Sequence, residues 1–138
     1  MEINYVAIAV ATVVQFIIGA LWFGPLFGKT WGAIHGFDKL APEVQQAMMK
    51  SMTPFYVLQA VLGLMTAAVF GLFVASLPQE WNVYVLAGFC WLGFIAPIQL
   101  AAVIWGGTEG RWMLQKMIIM VCGSLVSLLA TALVFSLI

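Results

Sequence analysis

The run PFYVLQAVLGLMTAAVFGLFVASL, residues 54–77, contains no charged side chain. Coiled as an α-helix at ~1.5 Å per residue, it outreaches a hydrocarbon core of ~30 Å. Residues 3–23, 83–105 and 113–138 have the same apolar character, with Lys116 at the edge of the last run. In lipid the backbone must satisfy its own polar groups, and no alternating barrel pattern is present, so the runs read as helices. The expected fold is an all-α integral membrane protein: a four-transmembrane-helix bundle with an amphipathic first loop, in a single domain over residues 1–138.

Composition excludes the other classes. Of 138 residues, 64% are hydrophobic and 7% charged, against ~25% charged in soluble domains. Five basic residues balance five acidic ones, so there is no basic face for nucleic acid. The first run is too long for a secretory signal, whose apolar core spans ~7–15 residues behind a basic start. Glu2 is the only charge before Lys29, and residues 3–23 read as a retained helix. Cys90 and Cys122 lie inside runs at different depths, which reads as two small buried hydrophobes rather than a disulfide.

The basic residues orient the bundle. Lys29, Lys39 and Lys50 fall in the first connection, and Arg111 and Lys116 in or beside the third. The termini and the second connection have none, so the positive-inside rule puts the basic side in the cytoplasm and both termini outside. Tyr5, Trp81 and Tyr84 then mark the outer interface, and Trp22, Trp31, Tyr56, Trp105 and Trp112 the inner one. Within the first connection, Phe27, Trp31 and Ile34 have helical spacing and read as a short interfacial helix. Ala41-Pro42-Glu43 reads as a second helix start, with Pro in the first turn and an acid at the positive end of the dipole. Its stripe of Val44, Met48, Met52 and Phe55 points toward the second span, with an interruption or kink expected at Pro54.

Helices in lipid associate by close packing of small residues. The second run carries such a ladder in Gly63, Ala67, Gly71 and Ala75. Ala7, Ala11 and Gly19 form one in the first run, Gly88 and Ala96 a weaker one in the third, and Gly123, Ser127 and Thr131 one in the fourth. The ladders serve packing within the protomer, in a homo-oligomer, or both. Gln15, Gln59 and Gln99 fall on them at similar distances from the basic ends of their runs. They predict a polar belt that either bonds helices together or lines a ligand site.

Catalytic and metal signals are weak. No Asp, Glu or His lies within a span core, which argues against proton-coupled antiport through a membrane carboxylate. Small multidrug exporters have four spans but rely on such a carboxylate in the first, where this chain has Gln15. No metal or cofactor site is expected: His35 stands alone, with no CxxC or HxxxH spacing. Enzyme chemistry would need His35, Glu109 and Arg111 to converge. Glu109-Gly110-Arg111 beside Trp112 reads as a turn with a local salt bridge. The competing reading of this cytoplasmic rim, Lys29, Trp31, Glu109 and Arg111, pairs Arg111 with Lys29 as a site for anionic headgroups or an anionic ligand. The sequence around Trp22–Trp31 is echoed around Trp105–Trp112, which fits either a duplicated hairpin or independent gathering of Trp and basic residues at one interface.

Gly19-Ala20-Leu21-Trp22-Phe23-Gly24-Pro25-Leu26-Phe27-Gly28-Lys29-Thr30-Trp31 resembles the signature of a bacterial membrane family known as domain of unknown function 1761. Trp91-Leu92-Gly93-Phe94-Ile95-Ala96, Glu109-Gly110-Arg111 and Gly123-Ser124-Leu125-Val126 resemble its second half, in order. Phe23-Gly24 stand where relatives usually carry Tyr-Ser, and a Tyr often found near Ser124 is absent. The resemblance implies a four-span bacterial inner-membrane protein and no particular reaction. The leading expectation is a non-enzymatic homo-oligomer among membrane lipids that binds or passes a small or lipid-like molecule, without proton coupling through a membrane carboxylate. The alternatives are a structural or assembly protein with no ligand and a membrane-embedded enzyme acting on lipids.

Overall fold

A computed structural model describes all of residues 1–138. The chain is helical with no strand, and four of its helices are long and apolar enough to cross a membrane: Tyr5–Leu26, Thr53–Ser76, Val83–Trp105 and Gly110–Leu137. Only 17 of 138 residues are buried by protein, while large apolar side chains stand exposed along every span. Lipid must cover that surface, because water would leave it at a cost no fold of this size offsets.

The first span begins with α1, Tyr5–Leu21, whose end is capped by Asn4 accepting from the Ala7 N–H at 2.9 Å. It does not turn at Gly24. It widens into a π-helical turn, Trp22–Leu26, with Pro25 inside. Proline lacks an N–H and collides with the carbonyl four residues back, and a wider turn relieves both faults. The third span does the same. Helix α5 (Val83–Cys90) passes through a π-helical stretch, Trp91–Ile95, into α6 (Ala96–Trp105), which carries Pro97 in its first turn. The other two spans, α4 (Thr53–Ser76) and α7 (Gly110–Leu137), are unbroken.

The first connection folds as α2 (Gly28–Ile34), a short 3-10 turn (Phe37–Lys39) and α3 (Pro42–Ser51). Pro42 and Glu43 open α3 and Lys50 lies in its last turn, which complements the helix dipole at both ends. The break before span two falls at Met52 rather than Pro54, and Pro54 sits in the first turn of α4, where no N–H is needed.

Two apolar clusters hold the bundle. Ala7, Ile8 and Ala11 of α1 meet Ala67 of α4 and Val134 of α7. Phe70 of α4, Leu86 and Ala87 of α5, and Leu128 and Ala132 of α7 form the second. Helix α1 packs along both α4 and α7, and α7 also packs along α5 and α6. The ladder of span two is used inside the protomer: Gly63, Ala67 and Gly71 are buried, and Ala75 half-buried. A Cβ on Gly71 would stand 2.9 Å from the Phe135 ring and 3.2 Å from Ile8, so a side chain there would have to push both aside. The other ladders are used unevenly. Ala7, Ala11, Ala96, Gly123 and Thr131 are buried, while Gly19 and Gly88 have open space where a Cβ would be.

Candidate functional site

The polar side chains inside the bundle converge on α7, at three levels. At the level nearest the basic end, the Trp22 indole N–H donates to the Ile119 carbonyl at 2.9 Å. That carbonyl is within reach because Gly123 has no side chain: a Cβ there would stand 2.7 Å from the indole nitrogen. At the middle level, the Trp91 indole N–H donates to the Val121 carbonyl at 2.9 Å and lies 3.1 Å from Ser124 Oγ. Ser124 in turn donates to Gln99 Oε1 at 2.7 Å. At the far level, Gln15 Nε2 donates to Thr131 Oγ1 at 2.9 Å, and the fully buried Thr131 hydroxyl donates to the Ser127 carbonyl.

These contacts separate the three glutamines. Gln15 and Gln99 dock on α7 seven residues apart, a rise of ~10 Å at 1.5 Å per residue. They do not share a layer with each other, and the Gln15 amide is aimed at a helix–helix contact rather than at a cavity. Gln59 is exposed on α4 and bonds to no other side chain. The expected belt is therefore resolved into one clamp (Gln15), one clamp with an amide nitrogen to spare (Gln99) and one free amide (Gln59).

The open feature of the bundle lies between spans two and three. A groove of about 470 Å³ runs between Met65, Thr66, Val69 and Phe73 on α4 and Cys90, Phe94 and Ile95 on span three, floored by Phe70 and Leu128. Eight of its nine lining residues are apolar, and its size is that of a small-ligand site. Its span-three wall includes the π-helical stretch, which the Trp91 bonds pin to α7. Gln59 precedes Thr66 by two turns on the same face of α4, and Gln99 follows Ile95 by one turn on span three. Because the two spans run in opposite directions, both amides lie on the basic side of the groove, outside its lining. Thr66 is the one polar residue of the lining itself. A second cavity, of about 530 Å³, lies at the opposite end, lined by Glu2, Gln79, Trp81 and Asn82 among others. The Asn82 side chain there is spent capping α5.

At the basic rim, Glu109 and Arg111 form a 2.8 Å ion pair with both side chains more than half exposed. Such a pair contributes little to stability. Arg111 also lies over the Trp112 ring at 5.3 Å. Trp31 stacks with Phe23 and His35 and has Lys116 over its face at 5.7 Å, while Lys29 is exposed. His35 Nδ1 bonds to the Trp31 carbonyl at 2.8 Å, so the rim falls into two local groups, with no contact joining His35 to Glu109 and Arg111.

Sequence reasoning missed Trp22, Trp91 and Ser124 as clamps. The usable signal was a Trp followed by a Pro within the same span, at Trp22–Pro25 and Trp91–Pro97. It also sets the structural likeness of spans one and three differently from the echo in the sequence. Trp22 corresponds to Trp91, whereas Trp105 is 86% exposed at the end of α6.

No curated protein and no solved structure matches the chain. One family profile does, over residues 6–136, under the description protein of unknown function (DUF1761). That match covers nearly the whole bundle, from α1 to the end of α7, and the chain belongs to this family.

Proposed function

We propose that the protein binds a single lipid-like amphiphile from the bilayer in the groove between spans two and three, without enzymatic chemistry. The acyl portion lies against Phe94, Val69 and Phe73, and the polar end stands at the basic side, within reach of the Gln59 and Gln99 amides. The observation that carries this reading is the coincidence of an apolar groove, open to lipid, with an exposed and unbonded amide, Gln59, two helical turns from Thr66 on the same face of α4. A polar side chain facing lipid without a partner is costly, and an amphiphile's carbonyl or hydroxyl would satisfy it. A small molecule held by all three glutamines fits less well, because the Gln15 amide is already bonded. The proposal includes the bacterial inner membrane as the location, with the basic end in the cytoplasm and both termini outside.

Native mass spectrometry of the detergent-extracted protein tests it. One lipid class should stay bound through detergent exchange to the wild type and be lost from Thr66→Trp, which fills the groove from an exposed position. Equal retention by both proteins, or no retained lipid at all, contradicts the reading.

A further inference from the structure

Helix α3 has an apolar face that nothing else in the protein covers. Val44, Met48 and Met52 follow one another at four-residue spacing on one side and are 46, 41 and 45% exposed, while Glu43, Gln46 and Lys50 occupy the other. Both ends of the helix are held. Near its start, Gln45 Nε2 donates to the Phe37 and Leu40 carbonyls at 2.9 and 3.2 Å. Phe37 lies over Gly32 of α2, and α2 is held beside α7 through Trp31 under Lys116. At the other end, only Met52 separates α3 from α4, and Thr53 Oγ1 donates back to the Lys50 carbonyl at 3.2 Å. The helix is thus strapped between the basic ends of spans one and two. Its stripe runs on into Phe55, 62% exposed at the start of α4.

We infer that α3 lies along the bilayer surface, with Val44, Met48 and Met52 in the acyl boundary and Glu43, Gln46 and Lys50 toward water. The occupant of the apolar face is lipid, because the stripe is continuous with a surface that lipid already covers. Apolar insertion holds the helix there. Attraction to anionic headgroups does not, since Glu43 and Lys50 oppose each other in sign and both face away. This attachment is independent of the groove.

The test uses the full chain, with Cys90→Ala and Cys122→Ala, reconstituted in phosphatidylcholine vesicles with and without phosphatidylglycerol. A fluorescent label is placed at Met48→Cys or Gln46→Cys. The label at 48 should be quenched by a shallow acyl-chain nitroxide and protected from aqueous iodide about threefold relative to 46, as for a helix seated in the interface, equally in both vesicle types. In a second pair, Met48→Gln should raise iodide access to a label at Val44→Cys. Equal iodide access at 46 and 48 overturns the inference. So does protection without nitroxide quenching, which would mean a covering protein, and so does protection only with phosphatidylglycerol, which would mean attachment by charge.

Discussion

Helix α4 has two sides that solve the same problem differently. Toward α1 it presents Gly63, Ala67 and Gly71, all buried: Gly63 faces Thr12 and Gln15, Ala67 packs with Ala7, Ile8 and Ala11, and the space at Gly71 is taken by Ile8 and by Phe135 of α7. Toward span three it presents Met65, Thr66, Val69 and Phe73, and a groove is left open. In lipid there is no hydrophobic force to draw helices together, so contact is as tight as side-chain size permits. Small residues on one side make a seam, and large ones on the other make a gap, which Phe70 and Val74 bridge by reaching the second cluster. The seam carries the fold, and the gap is where a ligand has room.

Substitutions on the two sides should therefore behave in opposite ways. The largest effect is expected for Gly71→Leu, whose branched side chain must displace Phe135 and Ile8. It should destabilise the monomer in detergent unfolding by about 3 kcal/mol, the upper end of overpacking, whereas Thr66→Leu on the groove side should change stability by less than ~0.5 kcal/mol. Next comes Gly123→Val, which pushes the Trp22 indole off the Ile119 carbonyl. A loss of about 1–3 kcal/mol is expected, and Trp22→Leu in the same chain should restore part of it, since the clash is then gone. A smaller effect belongs to Gln15→Leu, which removes the bond to Thr131 and should cost ~0.6–2 kcal/mol, the range for interhelical hydrogen bonds in membranes. The smallest is Gln59→Leu. Its exposed amide bonds nothing in the bundle, so unfolding should be unchanged while lipid retention falls. A stability loss as large as that of Gln15→Leu would show that Gln59 is another clamp and would erase the contrast.

How far this was legible in the sequence differs by feature. Residues 54–77 and their three counterparts located the spans to within a few residues, because lipid imposes one length and one composition on any crossing helix. The ladder of Gly63, Ala67 and Gly71 was equally readable, though not whether it served the protomer or an oligomer; its burial against α1 answers that for the protomer. The glutamines were read as one belt because depth was counted from the basic end of each span as if those ends were level. Span one runs on to Leu26, and the partners of Gln15 and Gln99 on α7, Thr131 and Ser124, lie seven residues apart. The groove left almost no trace, since a gap between two spans depends on which faces meet and not on either run alone. Its wall residues, such as Phe94 and Val69, look like any lipid-facing side chain.

On the proposed function, the groove takes up one lipid-like molecule and does not merely border the bilayer. A photoreactive benzophenone side chain placed at Phe94, inside the groove, and in a separate chain at Val13, exposed on α1, tests it in native membranes. The Phe94 position should yield a cross-link dominated by a single lipid class, and the Val13 position a mixture that follows bulk lipid composition. The same mixture at both positions would contradict the account.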